Sequence, residues 1–276
     1  EMPLLAVAQG HHHVVRLLGL FRTEGLHNTG STQWALALEL CPGGDLQELV
    51  AGRGPVTEGA AAGVLSGILS ALTHVHSRGV VHRDVKSENI LLAEGGRPVL
   101  TDFGVAALLS DKTAMSSRCG SAGYVAPEVL KSDVVYNHKV DVFGVGVTLY
   151  FVLSASLPFQ GADVAQVLRR NVRCKISLES SPHFQRVDAW CKRFLLLLQA
   201  NPEDRPSAPA ALQHKWLLSH EREQDEQLLD VPMKHLPRDL ADIGENQPVR
   251  TMSKASQGSF EGQPPSQRGP PGRPSP

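Results

Sequence analysis

The segment His82-Arg83-Asp84-Val85-Lys86-Ser87-Glu88-Asn89 gathers carboxylates, cations and an amide into one short run. Eighteen residues after Asp84 stands Asp102-Phe103-Gly104, and farther on Ala126-Pro127-Glu128. A carboxylate can take a proton from a reacting group. Carboxylate and amide oxygens are also the hard donors that magnesium prefers. Taken singly, Asp84 and Asp102 would pass as ordinary loop carboxylates. Their joint spacing with Lys86, Asn89 and Gly104 makes coincidence a poor account.

Positioning these side chains falls to the elements around them. Residues 34–40 (WALALEL) read as a strand, broken by PGGD at 42–45 before a short helix over 46–51. An Ala-rich run over 57–77 reads as a long helix, although Gly59, Gly63 and Gly67 each cost about 1 kcal/mol against Ala in an exposed helix. Residues 90–92 and 98–101 read as the arms of a small hairpin turned by Glu94-Gly95-Gly96. Beyond 124 the pattern is helical, over 127–131, 138–154, 163–170, 187–198 and 208–218. A strand-bearing first third before a helical remainder predicts an α+β, two-lobed protein with its cleft near the transition. The uncharged run 142–159 has the length of a short membrane span. Gly144, Gly146, Ser154, Ser156 and Pro158 within it argue for a buried core helix, and no membrane span is expected.

The chain of 276 residues carries 27 Lys plus Arg against 28 Asp plus Glu, a balance that argues against nucleic acid as a partner. Its 41% apolar residues suffice for one sizeable core. Cys41, Cys119, Cys174 and Cys191 form no CxxC pair, so neither a disulfide framework nor a zinc site is expected. An intracellular, cytoplasmic setting follows from that reading. Residues 221–276 turn charged and then rich in Pro, Gly and Ser. Such a composition buries too little apolar surface to offset its ordering entropy, and a disordered tail is expected. The sequence opens on Glu1 without the basic and apolar regions of a signal peptide, as a fragment or processed product would.

The three motifs, in this order and spacing, resemble those of eukaryotic protein kinases of the serine/threonine type, over roughly residues 1–218. The resemblance implies transfer of the γ-phosphate of ATP to a protein hydroxyl, a reaction governed by positioning and charge neutralisation. It assigns Asp84 to orient the substrate hydroxyl and accept its proton, and Lys86 to contact the transferred phosphate. Asn89 and Asp102 would hold Mg2+. On the nucleotide side it assigns Leu38 as gatekeeper, the Glu39 carbonyl and Cys41 amide to the adenine edge, Leu91 to the apolar floor and Asp45 to the ribose. Leu5, Leu17, His82 and Phe103 would stack as an internal column anchored on Asp141, and Glu128 would pair with Arg205. Arg83 implies control by phosphorylation of the activation segment, with Ser117 at the usual acceptor position and Ser116 and Thr113 as alternatives.

The segment 119–128 looks most like the calcium/calmodulin-dependent group, with Ser121 where Thr is commoner and Ala122 where Pro is usual. Ser121 keeps a hydroxyl to organise the catalytic loop. Asp45 and Glu88 could attract an arginine upstream of the acceptor, so the expected partner is a protein substrate with basic residues before its Ser or Thr. Arg250-Thr251-Met252-Ser253 is itself a basophilic acceptor pattern. The consecutive His11, His12 and His13 read as a loop entering a strand rather than a metal site, since sequence neighbours converge poorly on one ion. By resemblance, 1–40 is a partial N-lobe (end of helix C, strands 4 and 5), 41–220 the hinge and helical C-lobe, and 221–276 the tail. A Gly-rich phosphate loop and its partner lysine do not precede the hinge. Glu1 falls where the glutamate of helix C should be, and Pro3 is tolerable only at a helix start. A catalytically inactive kinase-like scaffold is the alternative. A small-molecule phosphotransferase is a third reading, against which Ala126-Pro127-Glu128 and the helices after it count.

Overall fold

Pro3 stands in the first turn of helix α1 (Met2–Ala8), where its missing N–H costs no intrahelical bond. The computed structural model describes residues 2–24, 32–176, 178 and 182–220; Glu1, the expected tail over 221–276 and the acceptor pattern within it lie outside the described residues. Strands β1 (Leu17–Glu24) and β2 (Thr32–Leu38) pair antiparallel, with Leu20 opposite Leu36 and a register shift between Leu17 and Gly19. β2 ends short of the expected residue 40. There Glu39 N turns to donate to Arg16 O at 2.9 Å, and Leu40 is 61% exposed.

Helix α2 (Leu46–Arg53) is capped by Asp45, whose carboxylate accepts from Glu48 N at 2.7 Å. Helix α3 (Glu58–Ser77) is capped by Thr57 and forms the axis of the larger part of the fold. By length and composition it could cross a membrane. Here Val64, Leu65, Ile68, Leu69 and Leu72 on it are buried in the core. Gly67 is required by packing, because a Cβ there would lie 2.7 Å from Pro98 and 2.8 Å from His13.

β3 (Val80–Val81) pairs with β6 (Ala107–Leu108), and β4 (Ile90–Leu92) with β5 (Pro98–Leu100), each antiparallel. The β4–β5 hairpin turns at Gly95, as its Glu-Gly-Gly sequence predicts. Helix α4 (Lys139–Ser154) is buried almost along its whole length, so the uncharged run is a core helix. α5 (Val164–Arg173), α6 (Pro182–Gln185) and α7 (Ala189–Phe194) follow, the last continued by a 3-10 turn over Leu195–Leu198. The expected helix over 208–218 is two helices, α8 (Ala208–Leu212) and α9 (Lys215–His220). His214 Nδ1 accepts from Trp216 N at 3.3 Å and restarts the chain in a new direction. Trp216 is thereby fully buried, with its Nε1 donating to Glu58 at 3.2 Å.

Candidate active site

The loop that carries Asp84 is fixed from below by Asp141, a fully buried carboxylate in the first turn of α4. It accepts from His82 N at 2.9 Å, Arg83 N at 2.7 Å and His76 Nε2 at 2.8 Å. Burial alone would raise its pKa; the His76 hydrogen bond and the donors of His82 outweigh that and hold it below the ordinary value. Arg83 adopts φ +68° to make this connection. Val85 O presses on α4 where a Cβ at residue 144 would stand 2.5 Å away, which is why that turn carries glycine.

Three donors converge on the Asp84 carboxylate. Oδ1 accepts from Ser121 N at 2.9 Å, and Oδ2 from Lys86 Nζ at 2.9 Å and Asn89 Nδ2 at 3.2 Å. Lys86 Nζ also donates to Ser121 Oγ at 2.7 Å, so the expected organising hydroxyl is in place. Asn89 precedes β4, and the hairpin returns the chain so that Thr101 N donates to Asn89 O at 3.0 Å. Asp102 follows at once with φ +60°, its Oδ1 accepting from Gly104 N at 3.1 Å. On its other flank, Phe103 packs edge-on against the His82 ring and Arg83 Nε donates to Val105 O at 2.6 Å. Asp84, Lys86, Asn89 and Asp102 therefore belong to one stitched pair of loops.

The donor set suits magnesium. Asn89 spends its amide N–H groups on Asp84 O and Oδ2, which leaves its carbonyl oxygen as a hard donor, as the Asp102 carboxylate is. Among the described residues no group of three or more His, Cys, Asp or Glu is placed to hold a metal. One or two oxygen ligands, completed by water and phosphate, is the manner in which magnesium binds at phosphate-handling sites.

The residues expected on the nucleotide side adjoin this loop pair. Asp45 bridges Leu91 through the backbone, and Gly43 and Gly44 exchange hydrogen bonds with Leu92. Leu38, Cys41 and Leu91 are half-buried against the core. The Glu39 carbonyl and Cys41 amide make no hydrogen bond among the described residues, whereas the Glu39 carboxylate accepts from Arg16 N and faces Arg97. Burial, reinforced by Glu39, pushes the Cys41 thiol up to about 11.

Beyond the centre, Glu128 and Arg205 form a buried bidentate pair at 2.6 and 2.7 Å. Leu5 is buried in the core and Leu17 packs against it. Arg83 Nη1 donates to Ala114 O at 2.6 Å, Ser117 Oγ at 3.1 Å and Tyr136 OH at 3.2 Å. Tyr136, whose hydroxyl donates to Ser117 O at 2.7 Å, was not foreseen from the sequence, nor was Asn171, whose buried amide donates to Val125 O at 2.7 Å. Ser87 is likewise tied to Gln47 and Tyr124. No local pattern marks Tyr136 or Asn171; only the fold joins them to the motifs. His11, His12, His13 and His74 gather apart from the site, with ring centroids 4.0 to 5.7 Å apart.

The chain belongs to the protein kinase domain family, which matches over residues 1–217. It is 37% identical over 211 residues to a probable serine/threonine-protein kinase 2 of Plasmodium falciparum, covering 75% of this chain and 40% of that protein. It is 32% identical over 240 residues to calcium-dependent protein kinase 26 of rice (Oryza sativa subsp. japonica), covering 86% of this chain and 42% of that one. The chain thus spans less than half of either relative. Among solved structures, the Rad53 kinase domain with SCD2 in complex with AMPPNP superposes with a TM-score of 0.64 at 30% identity, over 79% of this chain and 78% of that one.

Proposed function

We propose that this chain carries the catalytic centre of a protein serine/threonine kinase that moves the γ-phosphate of ATP to a Ser or Thr hydroxyl of a protein substrate. The observation that carries the reading is the Asp84 carboxylate, held in one orientation by Ser121, Lys86 and Asn89 beside the loop of Asp102. The substrate hydroxyl gives its proton to Asp84 as its oxygen bonds to phosphorus, and the departing ADP oxygen takes up the charge. The Lys86 ammonium lies against the same carboxylate and offsets charge on the phosphoryl group in flight. Asn89 and Asp102 would hold Mg2+, which neutralises the phosphates when bound. The Glu39 carbonyl and Cys41 amide offer an acceptor and a donor for the adenine edge, with Leu38 and Leu91 as apolar walls. The AMPPNP complex of the Rad53 kinase domain favours ATP as donor.

Asp45 and Glu88 favour a substrate with basic residues before the acceptor. Asp45 also caps α2, so its share in substrate binding is secondary. We assign residues 1–40 to part of an N-lobe and 41–220 to the hinge and C-lobe. Four free thiols favour an intracellular setting.

The test is phosphate transfer from ATP-Mg to a basic serine peptide. Asp84→Asn should lower the rate by roughly 10² to 10⁴, and a signal untouched by that change would refute the reading. A kinase-like scaffold without catalysis is the alternative reading. Binding of a fluorescent ATP analogue separates the two readings, because the scaffold binds none.

A further inference from the structure

Helix α5 carries two adjacent ladders at i, i+4 spacing, Leu168 with Val172 and Arg169 with Arg173. These four residues, with Leu130 and Arg118, line an open groove of about 330 Å³. That is near the lower end of the roughly 300–1,000 Å³ typical of ligand sites. The floor is aliphatic, and Val172 on it is 45% exposed. The rim is cationic. Arg118 Nη2 donates to Ser132 Oγ at 3.1 Å, and among the described residues none of the three guanidinium groups pairs with a carboxylate. Arg118 directly follows Ser117, and the 3-10 turn ending at Leu130 includes Glu128, so the groove borders the activation segment.

We propose that this groove docks an acidic, amphipathic segment of a protein partner, leucine-type side chains entering between Leu130, Leu168 and Val172 while Asp or Glu residues meet Arg118, Arg169 and Arg173. Charge complementarity decides the sign of the partner, since three cations without counter-charges favour an acidic one. The aliphatic floor decides its class. Inorganic phosphate would leave the floor uncovered, and a nucleic acid would find no aromatic ring to stack on. An amphipathic helix laid in a groove satisfies both features at once. The docking goes beyond phosphoryl transfer and does not depend on it.

The experiment is fluorescence anisotropy of a fluorescein-labelled peptide of alternating Asp-Glu and Leu-Leu pairs, titrated with the full chain. Saturable binding is expected. Two surface ion pairs are worth together about 1 kcal/mol, so Arg169→Gln with Arg173→Gln should weaken binding roughly fivefold to tenfold. Val172→Ser should weaken it as well, through the floor instead of the rim. Neither variant should alter phosphate transfer to a short peptide that lacks the acidic segment, and saturating ATP-Mg should leave the peptide affinity unchanged. The proposal is overturned if a peptide with Ser in place of every Leu binds equally well, because the attraction is then charge alone. It is also overturned if the Arg variants bind like the parent chain, or if sedimentation shows that the groove is covered by a second copy.

Discussion

Arg205 shows how much a single side chain can be asked to hold. It is 1% exposed, makes two charge-assisted bonds to Glu128, donates to the carbonyls of Gln199, Lys139 and Ala200, and lies over the Phe143 ring. Replacing a buried pair by apolar residues can be neutral, but removing one partner strands the other charge at a cost of about 3–5 kcal/mol. Arg205→Ala should therefore lower the unfolding free energy measured by urea titration by that amount, and Arg205→Lys should recover little of it, since a point charge cannot reproduce the fork. Arg83 is the opposite case, a guanidinium only partly satisfied by neutral oxygens at Ala114, Ser117 and Tyr136. A phosphate on Ser117 would give it a doubly charged partner and order the segment. If the proposed kinase activity holds, Ser117→Ala should leave specific activity at the level of phosphatase-treated parent. Equal activity of the variant and the phosphorylated parent would exclude Ser117 as the control point.

At the scale of elements, the α4 turn at Gly144 meets the catalytic loop backbone to backbone. A methyl there would stand 2.5 Å from Val85 O, with no flexible side-chain end to give way. Overpacking of this kind costs typically about 1–3 kcal/mol. The displaced atom neighbours Asp84, so Gly144→Ala should reduce kcat more than it raises KM. A variant with parental kcat would show that the loop is not seated by this contact. What could be read beforehand follows the same division between local and distant causes. The β4–β5 hairpin and helices α2, α3 and α4 were legible because their signals are local: Glu-Gly-Gly at the turn, the break at 42–45 before α2, an Ala-rich run and an uncharged apolar run. The motifs around Asp84 and Asp102 were legible because the chemistry confines their residue types. The split between α8 and α9 was not, because it is set by burying Trp216 against Glu58, far away in sequence. β3 and β6 are two residues each and exist only as partners, and Tyr136 and Asn171 act through contacts that no spacing rule announces.

The whole molecule is joined across a seam of histidines. His13 Nδ1 pairs with Pro98 O at 2.7 Å, His11 Nε2 with Ser70 Oγ at 3.1 Å, and His74 Nε2 lies 3.1 Å from Ala8 O. These contacts tie the segment between α1 and β1 to α3 and β5, together with the bridge from Val14 to Leu100. The charged groups facing the seam are cations, Arg78 beside His74 and Arg97 near His12 and His13. Burial, then the neighbouring His74, His13 and His12, lowers His11 from 6.5 to about 4, and burial is also the main cause that lowers His13. A histidine depressed in the folded state binds more protons when unfolded, so its contribution is complete above pH 6.5 and declines as the pH falls toward its folded value. His138 and His214 are lowered too and act in the same sense. Asp141, also depressed, weakens the fold only in stronger acid, below the ordinary carboxylate range. Between pH 6.5 and 4.5 the loss of thermal stability should therefore belong largely to the histidines. His11→Asn keeps a polar partner for Ser70 and should flatten the dependence of melting temperature on pH without abolishing it. An unchanged slope would mean that His11 tolerates its charge and that the acid sensitivity resides in His13, His138 and His214 instead.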